Sequence, residues 1–434
     1  MPPTLAVLVH NRDFRNLFLA QLVVFGGDWF VLVPLVVLLP ELTGSGLWGA
    51  LVLSADTGIV ALLLPFTGTV ADRVDRRKIM IIANLAAIGA VLLLLTVRSA
   101  ATAWVALAAM VAFAVAKAFY SPASSAALPN VVPDEDLAVA NALSGAAWGT
   151  MAVVGASLGG VLSAAFSPYT CFLVTAVGLA VAAALAWRIH RPLQAARGGG
   201  QPPRTWPAIC EAMRYIRRER RVLALVTVKS AAGMGNGVLA VFPVLAASFG
   251  VGALGAGLLF AVRGLGAVIG PLLLRRVLAH RSWLLPGLAV SMASYGLAYL
   301  GVAVVPWFAL VLALVMVAHV AGGGNWTMSN FALQTEVPDA LRGRVFATDM
   351  MLATLAISAS LLVVGAFVDH VPARVLIACC GGATLLYAIG WHLATARLAR
   401  AEPGGPGPTG PQDGPGPGGP GPTGPETACE HVLR

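Results

Sequence analysis

Charge is what this sequence has least of. Only 11% of its 434 residues are Asp, Glu, Lys or Arg, less than half of the roughly 25% typical of a soluble domain. So few charges cannot cover a water-facing surface, which excludes an ordinary soluble globule. Cysteine is sparse as well. Cys171, Cys379 and Cys380 lie in apolar runs, Cys210 in a basic loop and Cys429 near the end, with the spacing of neither a disulfide framework nor a zinc site. There is no Walker loop, so any energy for work has to come from a gradient rather than ATP. No cluster of metal ligands and no nucleophile–base constellation is present, so the sequence reads as a non-enzyme with no metal and no cofactor.

Apolar residues, at 58% of the chain, fill the space that charge leaves. Leu17 to Leu39 contains one ionisable residue and Ile79 to Val97 none. A run of about 20 apolar residues crosses a hydrocarbon core about 30 Å thick. Only helices and closed barrels satisfy their backbone in lipid, and these runs are solid rather than alternating, which excludes a barrel. The chain therefore reads as an all-α membrane protein with twelve transmembrane helices, at roughly 16–40, 47–69, 79–97, 102–126, 138–165, 168–187, 222–247, 252–274, 282–304, 306–331, 344–368 and 372–396. The first sixteen residues lead directly into a span and have no signal-peptide pattern.

Charge tests that count. With both termini in the cytoplasm, 22 of the 28 Lys and Arg residues fall on the inner side, and Arg98 and Arg374 alone fall in outer loops. This is the positive-inside pattern, and it accounts for the formal charge of +9 without any nucleic acid. A missed span would reverse every later loop.

The spans fall into two groups. Residues 1–187 carry six, a basic cytoplasmic loop occupies 188–221 with a short amphipathic helix expected near its end, and 222–396 carry six more. The halves echo each other. Arg12, Asp13 and Arg15 before Leu17 recur as Arg218, Glu219 and Arg221 before Leu223, an offset of 206. Ala127-Leu128 followed by Pro133-Asp134 recurs as Ala332-Leu333 followed by Pro338-Asp339, an offset of 205, and Gly68 matches Gly270 at 202. Six-span halves repeated in parallel belong to transporters with a site between the halves. Residues 397–434, rich in Pro and Gly, read as a disordered cytoplasmic tail.

The most informative loop runs from Gly68 through Asp72, Arg73, Asp75, Arg76 and Arg77 to Lys78. A positive-inside anchor would explain its bases but not its glycine or its spaced acids. It resembles the loop between spans two and three of the major facilitator superfamily, with Asp75 where that family most often has glycine. The opening Arg12-Asp13-Phe14-Arg15 and Gly27-Asp28-Trp29-Phe30 resemble the branch of enterobactin exporters and macrolide-efflux proteins. The resemblance implies two pseudo-symmetric six-helix halves, with Asp72, Arg73 and Arg76 as a gating network at the cytoplasmic face. In span five, Gly155, Gly159 and Gly160 are similar to a glycine motif of the superfamily's proton-coupled exporters, with Ala156 where proline is usual. Ordinary helix packing explains these glycines equally well.

A charge at mid-bilayer costs about 2.5–3.5 kcal/mol on insertion scales, so each needs a partner or a task. Asp28 and Asp56 lie at similar depth and are the proton-coupling candidates; the alternative is a structural pair with Arg263, Lys117 or Lys229. Arg263 either pairs with an acid or meets an anionic substrate. Lys229 sits where it could snorkel, and Asp349 where it could cap the gate beside Arg344. His319 is a relay or a packed polar residue. Gly322 to Gly324 would loosen span ten, letting Asn325 and Trp326 line a cavity. The expectation is a monomeric proton-coupled carrier of a small molecule in the cell membrane. It exports by antiport if the span-five motif is the guide, and imports a nutrient otherwise. A non-transporting sensor or assembly factor on the same scaffold is the remaining alternative.

Overall fold

The computed structural model describes residues 3–193, 205–278 and 283–400, and every element in them is helical. A short α1 (Pro3–His10) precedes α2 (Arg12–Thr43), α3 (Leu47–Arg73), α4 (Arg76–Leu93), α5 (Ala103–Val131), α6 (Asp134–Ala165) and α7 (Pro168–Trp187). After α8 (Thr205–Arg218) come α9 (Arg220–Gly235), a 3₁₀ turn over Asn236–Ala240, and α10 (Phe242–Ser248). The chain continues with α11 (Gly252–Leu278), α12 (Leu284–Val304), α13 (Phe308–Glu336), α14 (Asp339–Phe367) and α15 (Ala373–Arg400). Among the described residues, 11 helices are long and apolar enough to cross a membrane, and α6 adds a shorter apolar stretch, Gly149–Ala165.

The helix ends follow from local chemistry. Gly44 takes φ 71° after α2 and donates its N–H to the Pro40 carbonyl, a left-handed stop that only glycine adopts cheaply. Asn11 starts α2 by accepting from the Phe14 N–H at 2.9 Å, and Ser167 with Pro168 starts α7. The matched segments of the sequence take matched local structure: Pro133 and Pro338 are the N-cap residues of α6 and α14. The third pair differs in its surroundings: a Cβ at Gly68 would meet open space, whereas one at Gly270 would strike the Val320 carbonyl oxygen.

The outside of the bundle is apolar. Ile82, Val177, Leu272, Val290 and Leu393 are exposed, as lipid-facing side chains are. Exposed aromatics ring both ends: Trp104, Phe166 and Trp307 at one, Trp187 and Trp283 at the other, where amphipathic rings meet the headgroups. The expected amphipathic segment is α8, which buries Ala212 and Ile216 and exposes Arg214, Arg217 and Arg218. Residues 194–204 and the Pro/Gly-rich tail from 401 lie outside the described residues.

Helices α2 to α7 pack among themselves, as do α9 to α15, and the two groups meet mainly through α6 against α11 and α3 against α14. These meetings gather away from the basic end, the end bearing Arg76, Arg191 and Arg344. There, Gly160 and Gly257 are so close that a Cβ on either would lie within 2.9 Å of the other's Cα. Ser54 and Ser358 face each other with hydroxyls 2.7 Å apart. Asp369 accepts from the Gly46 N–H at 2.6 Å and from the Ser45 hydroxyl. At the basic end a Cβ at Gly68 of α3 or Gly343 of α14 would touch nothing, and the second group of helices there has an apolar cluster of its own, including Val222, Leu333 and Trp391. The latching contacts between the two groups gather at the end away from the basic one.

Two expectations for α13 change. Gly322 to Gly324 do not loosen it: α13 runs unbroken, and a Cβ on Gly323 would lie 2.5 Å from the Ala267 carbonyl oxygen. Gly323 serves close approach to α11, and Gly322 faces the Tyr295 ring of α12. Asn325 does not line a cavity, since its amide donates to the Ser291 hydroxyl at 2.8 Å and the Leu288 carbonyl at 3.3 Å, fastening α13 to α12.

Candidate functional site

Three helices bring three charges together near the middle of the bundle. Lys117 of α5 donates to both carboxylate oxygens of Asp28 on α2, at 2.9 Å each, and to Asp56 on α3 at 2.6 Å. The two acids singled out by the sequence thus share one ammonium. With all three charged the cluster carries one negative charge in excess. Lys117 and Asp28 are each 19% exposed, so the cluster is partly open, while Asp56 is at 8%. Behind Lys117 lies a cavity of about 10 Å³ lined by Asn84, Phe113 and Tyr120, into the edge of which Asn84 brings a buried amide nitrogen with no partner. That volume is close to what one water needs.

A second cluster is built differently. Lys229 of α9 pairs with Asp349 of α14, donates to Asn330 of α13 at 2.7 Å and lies 4.9 Å from the Trp326 ring centre. The side chains of Lys229 and Asp349 are 1% and 2% exposed. Lys229 therefore does not snorkel: its ammonium has a carboxylate, an amide and an aromatic face within reach, which is cheaper than stretching to the interface. Nor does Asp349 cap the gate beside Arg344, because Arg344 pairs with Glu211 of α8 instead. Trp326 serves this cluster through its ring.

Arg263 of α11 is the third mid-membrane base, and no acid among the described residues pairs with it. Its guanidinium lies 5.5 Å from the Trp29 ring centre across the contact between the two helix groups. Its Nε is sealed from solvent without a partner. Tyr295 and Tyr299 stand on α12, which packs against α11. His319 of α13 sits beneath them, its Nε2 2.9 Å from the Tyr299 hydroxyl and its ring edge-on to Tyr295. His319 is thus a packed member of an aromatic cluster. A cation–π contact contributes about 0.5–2 kcal/mol, against about 2.5–3.5 kcal/mol to place an arginine at mid-membrane, so Arg263 remains short of a counter-charge.

The loop after α3 is held by its bases. Arg76 donates to the Ala126 carbonyl at 2.7 Å and the Leu193 carbonyl at 3.0 Å, and Arg77 to the Arg191 carbonyl at 3.0 Å. Asp75 is the N-cap of α4 and accepts from the Arg77 N–H at 2.9 Å. An acid there begins the next helix, which gives a physical reason for its place in the motif. Arg73 ends α3, and the side chain of Asp72 lies outside the described residues. In α6, Gly155 and Gly159 face α2, and Gly160 faces α11. One helix therefore bears on both groups through glycine.

The family model for the Major Facilitator Superfamily matches residues 17–361. The chain belongs to the major facilitator superfamily. Within it, the chain is 31% identical to the uncharacterized MFS-type transporter Rv0037c of Mycobacterium tuberculosis over 354 residues, 73% of this chain and 76% of that one. It is 24% identical to the uncharacterized MFS-type transporter YfiS of Bacillus subtilis over 212 residues, 48% of this chain and 50% of that one. Among solved structures, the nucleoside transporter NupG is similar with a TM-score of 0.70 at 14% identity, covering 91% of this chain and 99% of that one. The peptide transporter POT is similar with a TM-score of 0.73 at 12% identity, covering 90% and 96%. At such identities the two structures speak for the fold alone. The family match and the apolar helices make this a multi-pass membrane protein and a secondary transporter of that superfamily.

Sequence reasoning missed three things. Lys117 was visible as a possible partner but not as a hub; the only signal was two mid-membrane acids in a half with a single mid-membrane base. Asn330 and the Asp369 latch had no signal at all, since neither stands out by type or spacing.

Proposed function

We propose that this chain is a proton-coupled carrier that exports a small organic molecule by antiport, as in the enterobactin-exporter and macrolide-efflux branch. It works by alternating access between two pseudo-symmetric halves, residues 1–187 and 222–396, joined by the cytoplasmic loop 188–221. Helix α6 is the fifth of twelve spans in this reading, and both termini, with the 397–434 tail, are in the cytoplasm of a monomer in the cell membrane. The basic end is then the cytoplasmic mouth, and the loop from Gly68 through Asp72, Arg73 and Arg76 is the gate that closes it.

One observation carries the coupling: Asp28 and Asp56 share Lys117. A proton on either carboxyl leaves one neutral ion pair, so the site takes up one proton without stranding a charge. The pair of Lys229 and Asp349 carries no excess charge, although one Asp349 carboxylate oxygen is buried without a partner. The glycines of α6 support the direction, because a helix bearing on both halves through glycine is suited to a rocking contact.

A second reading, nutrient import with a proton, is favoured by Arg263. The surplus positive charge there and the surplus negative charge at Lys117 would be cancelled together if an anion and a proton were loaded at once.

Everted vesicles decide between the two readings. A panel of antibiotics and siderophores is added to the bath, which faces the cytoplasmic side, and a luminal pH dye is read. Antiport alkalinises the lumen, co-transport acidifies it, and Asp28→Asn silences either signal. A full signal in Asp28→Asn would remove Asp28 from coupling.

A further inference from the structure

We propose that Arg263 is the anchor for the anionic group of the substrate, and that the substrate class is an organic acid with an aromatic or flat apolar body. This rests on the reading of the chain as a carrier of a small organic molecule, and names what that molecule must present.

Charge bookkeeping gives the first part. The mid-membrane acids are Asp28, Asp56 and Asp349, and the bases are Lys117, Lys229 and Arg263. Every one of those acids is held by a lysine. The helices packed against α11 are α2, α6, α10, α12 and α13. Among their described residues, the mid-membrane ionisable groups are Asp28, already bonded to Lys117, and the neutral Tyr295, Tyr299 and His319. Arg263 cannot shed its charge as a lysine can. A guanidinium in apolar surroundings, with no carboxylate and a donor nitrogen that bonds to nothing, is a built receptor for a carboxylate or phosphate, which it grips through two parallel N–H bonds.

The surroundings give the second part. Trp29 lies under the guanidinium, Phe260 lies 5.9 Å from Trp29, and Phe242 lies 5.3 Å from Phe260. Tyr295 and Tyr299, with ring centres 5.0 Å apart, add two more rings on α12, which packs against α11. Rings flanking a cation favour a ligand whose charged end meets the arginine while its flat body stacks beside it. The placement fits transport as well, since Trp29 and Arg263 belong to different halves and meet where the halves meet. An anion bound there touches both and can sense their relative motion. The cluster at Lys229 offers no comparable vacancy, because its cation already has its acid.

The test uses the full chain in lipid nanodiscs and two probes, 1-naphthoate and its uncharged methyl ester, followed by calorimetry. Naphthoate should bind wild type saturably and at least about tenfold more tightly than the ester, as expected for a hydrogen-bonded charge. Arg263→Gln should abolish that preference, and Arg263→Lys, which keeps a point charge but loses the fork, should fall between. Equal binding of acid and ester by wild type, or no naphthoate binding at all, would overturn the proposal. So would an unchanged acid preference in a monodisperse Arg263→Gln. Because the acid-to-ester ratio is read on wild type, it decides the matter even if Arg263→Gln misfolds. Failure of proton coupling shows elsewhere: Asp28→Asn would leave the luminal pH signal intact while naphthoate still required Arg263.

Discussion

The two lysine clusters in the middle of the bundle use the same chemistry with different arithmetic. Lys229 and Asp349 are a one-to-one pair, almost wholly buried, with Asn330 and Trp326 beside the ammonium and one Asp349 oxygen left unbonded. Lys117 faces two carboxylates at a site that is partly open. A balanced, sealed pair resists change; an unbalanced, accessible one has two protonation states close in energy. The comparison teaches that burial of charge alone does not mark a working site. The odd charge does.

The sharpest way to break this comparison is to neutralise each cluster in turn. Lys117→Met leaves two acids without a base and should cost about 3–5 kcal/mol, the usual penalty for stranding a buried partner. It should show as a large fall in thermal stability and loss of transport. Replacing the other pair whole, Lys229→Met with Asp349→Leu, removes both charges at once and should be neutral or stabilising by about 1–4 kcal/mol. A tolerant Lys117→Met beside a collapsed double variant would reverse the roles assigned here.

A smaller effect is expected at the latch. The Asp369 carboxylate accepts from the Gly46 N–H at the start of α3, an arrangement in which a negative charge adds about 0.3–1 kcal/mol. Asp369→Asn should therefore shift the carrier a few-fold towards closure of the basic end. Reduced thiol labelling of a Gly343→Cys reporter would register it, and unchanged or increased labelling would mean that the latch does not set this balance.

How far the sequence foretold this depends on the kind of fact. The breaks at Gly44 and at Ser167-Pro168 were legible because turn and cap chemistry is local. The basic end was legible because positive charge collects on one side. Asp28 and Asp56 were legible because acids are rare at that depth. What stayed hidden was rotation. Lys229 looked free to snorkel, and Asn325 looked free to line a cavity, because a uniformly apolar helix has no polar stripe to reveal which way a residue faces. The glycines of α13 likewise looked like a bend; only the distance of Gly323 from Ala267 identifies a contact. Asp75, an exception to the family pattern in sequence, became an ordinary helix cap once the start of α4 was seen.

The central claim is that the proton goes to the Lys117 cluster and not to the Lys229 pair. The direct measurement is substrate-driven proton movement in matched everted vesicles carrying wild type, Asp28→Asn or Asp349→Asn, each normalised to folded protein. The account predicts that Asp28→Asn loses the proton signal while Asp349→Asn, however much its stability suffers, keeps a wild-type signal per folded molecule. A signal that survives Asp28→Asn and disappears with Asp349→Asn would contradict it.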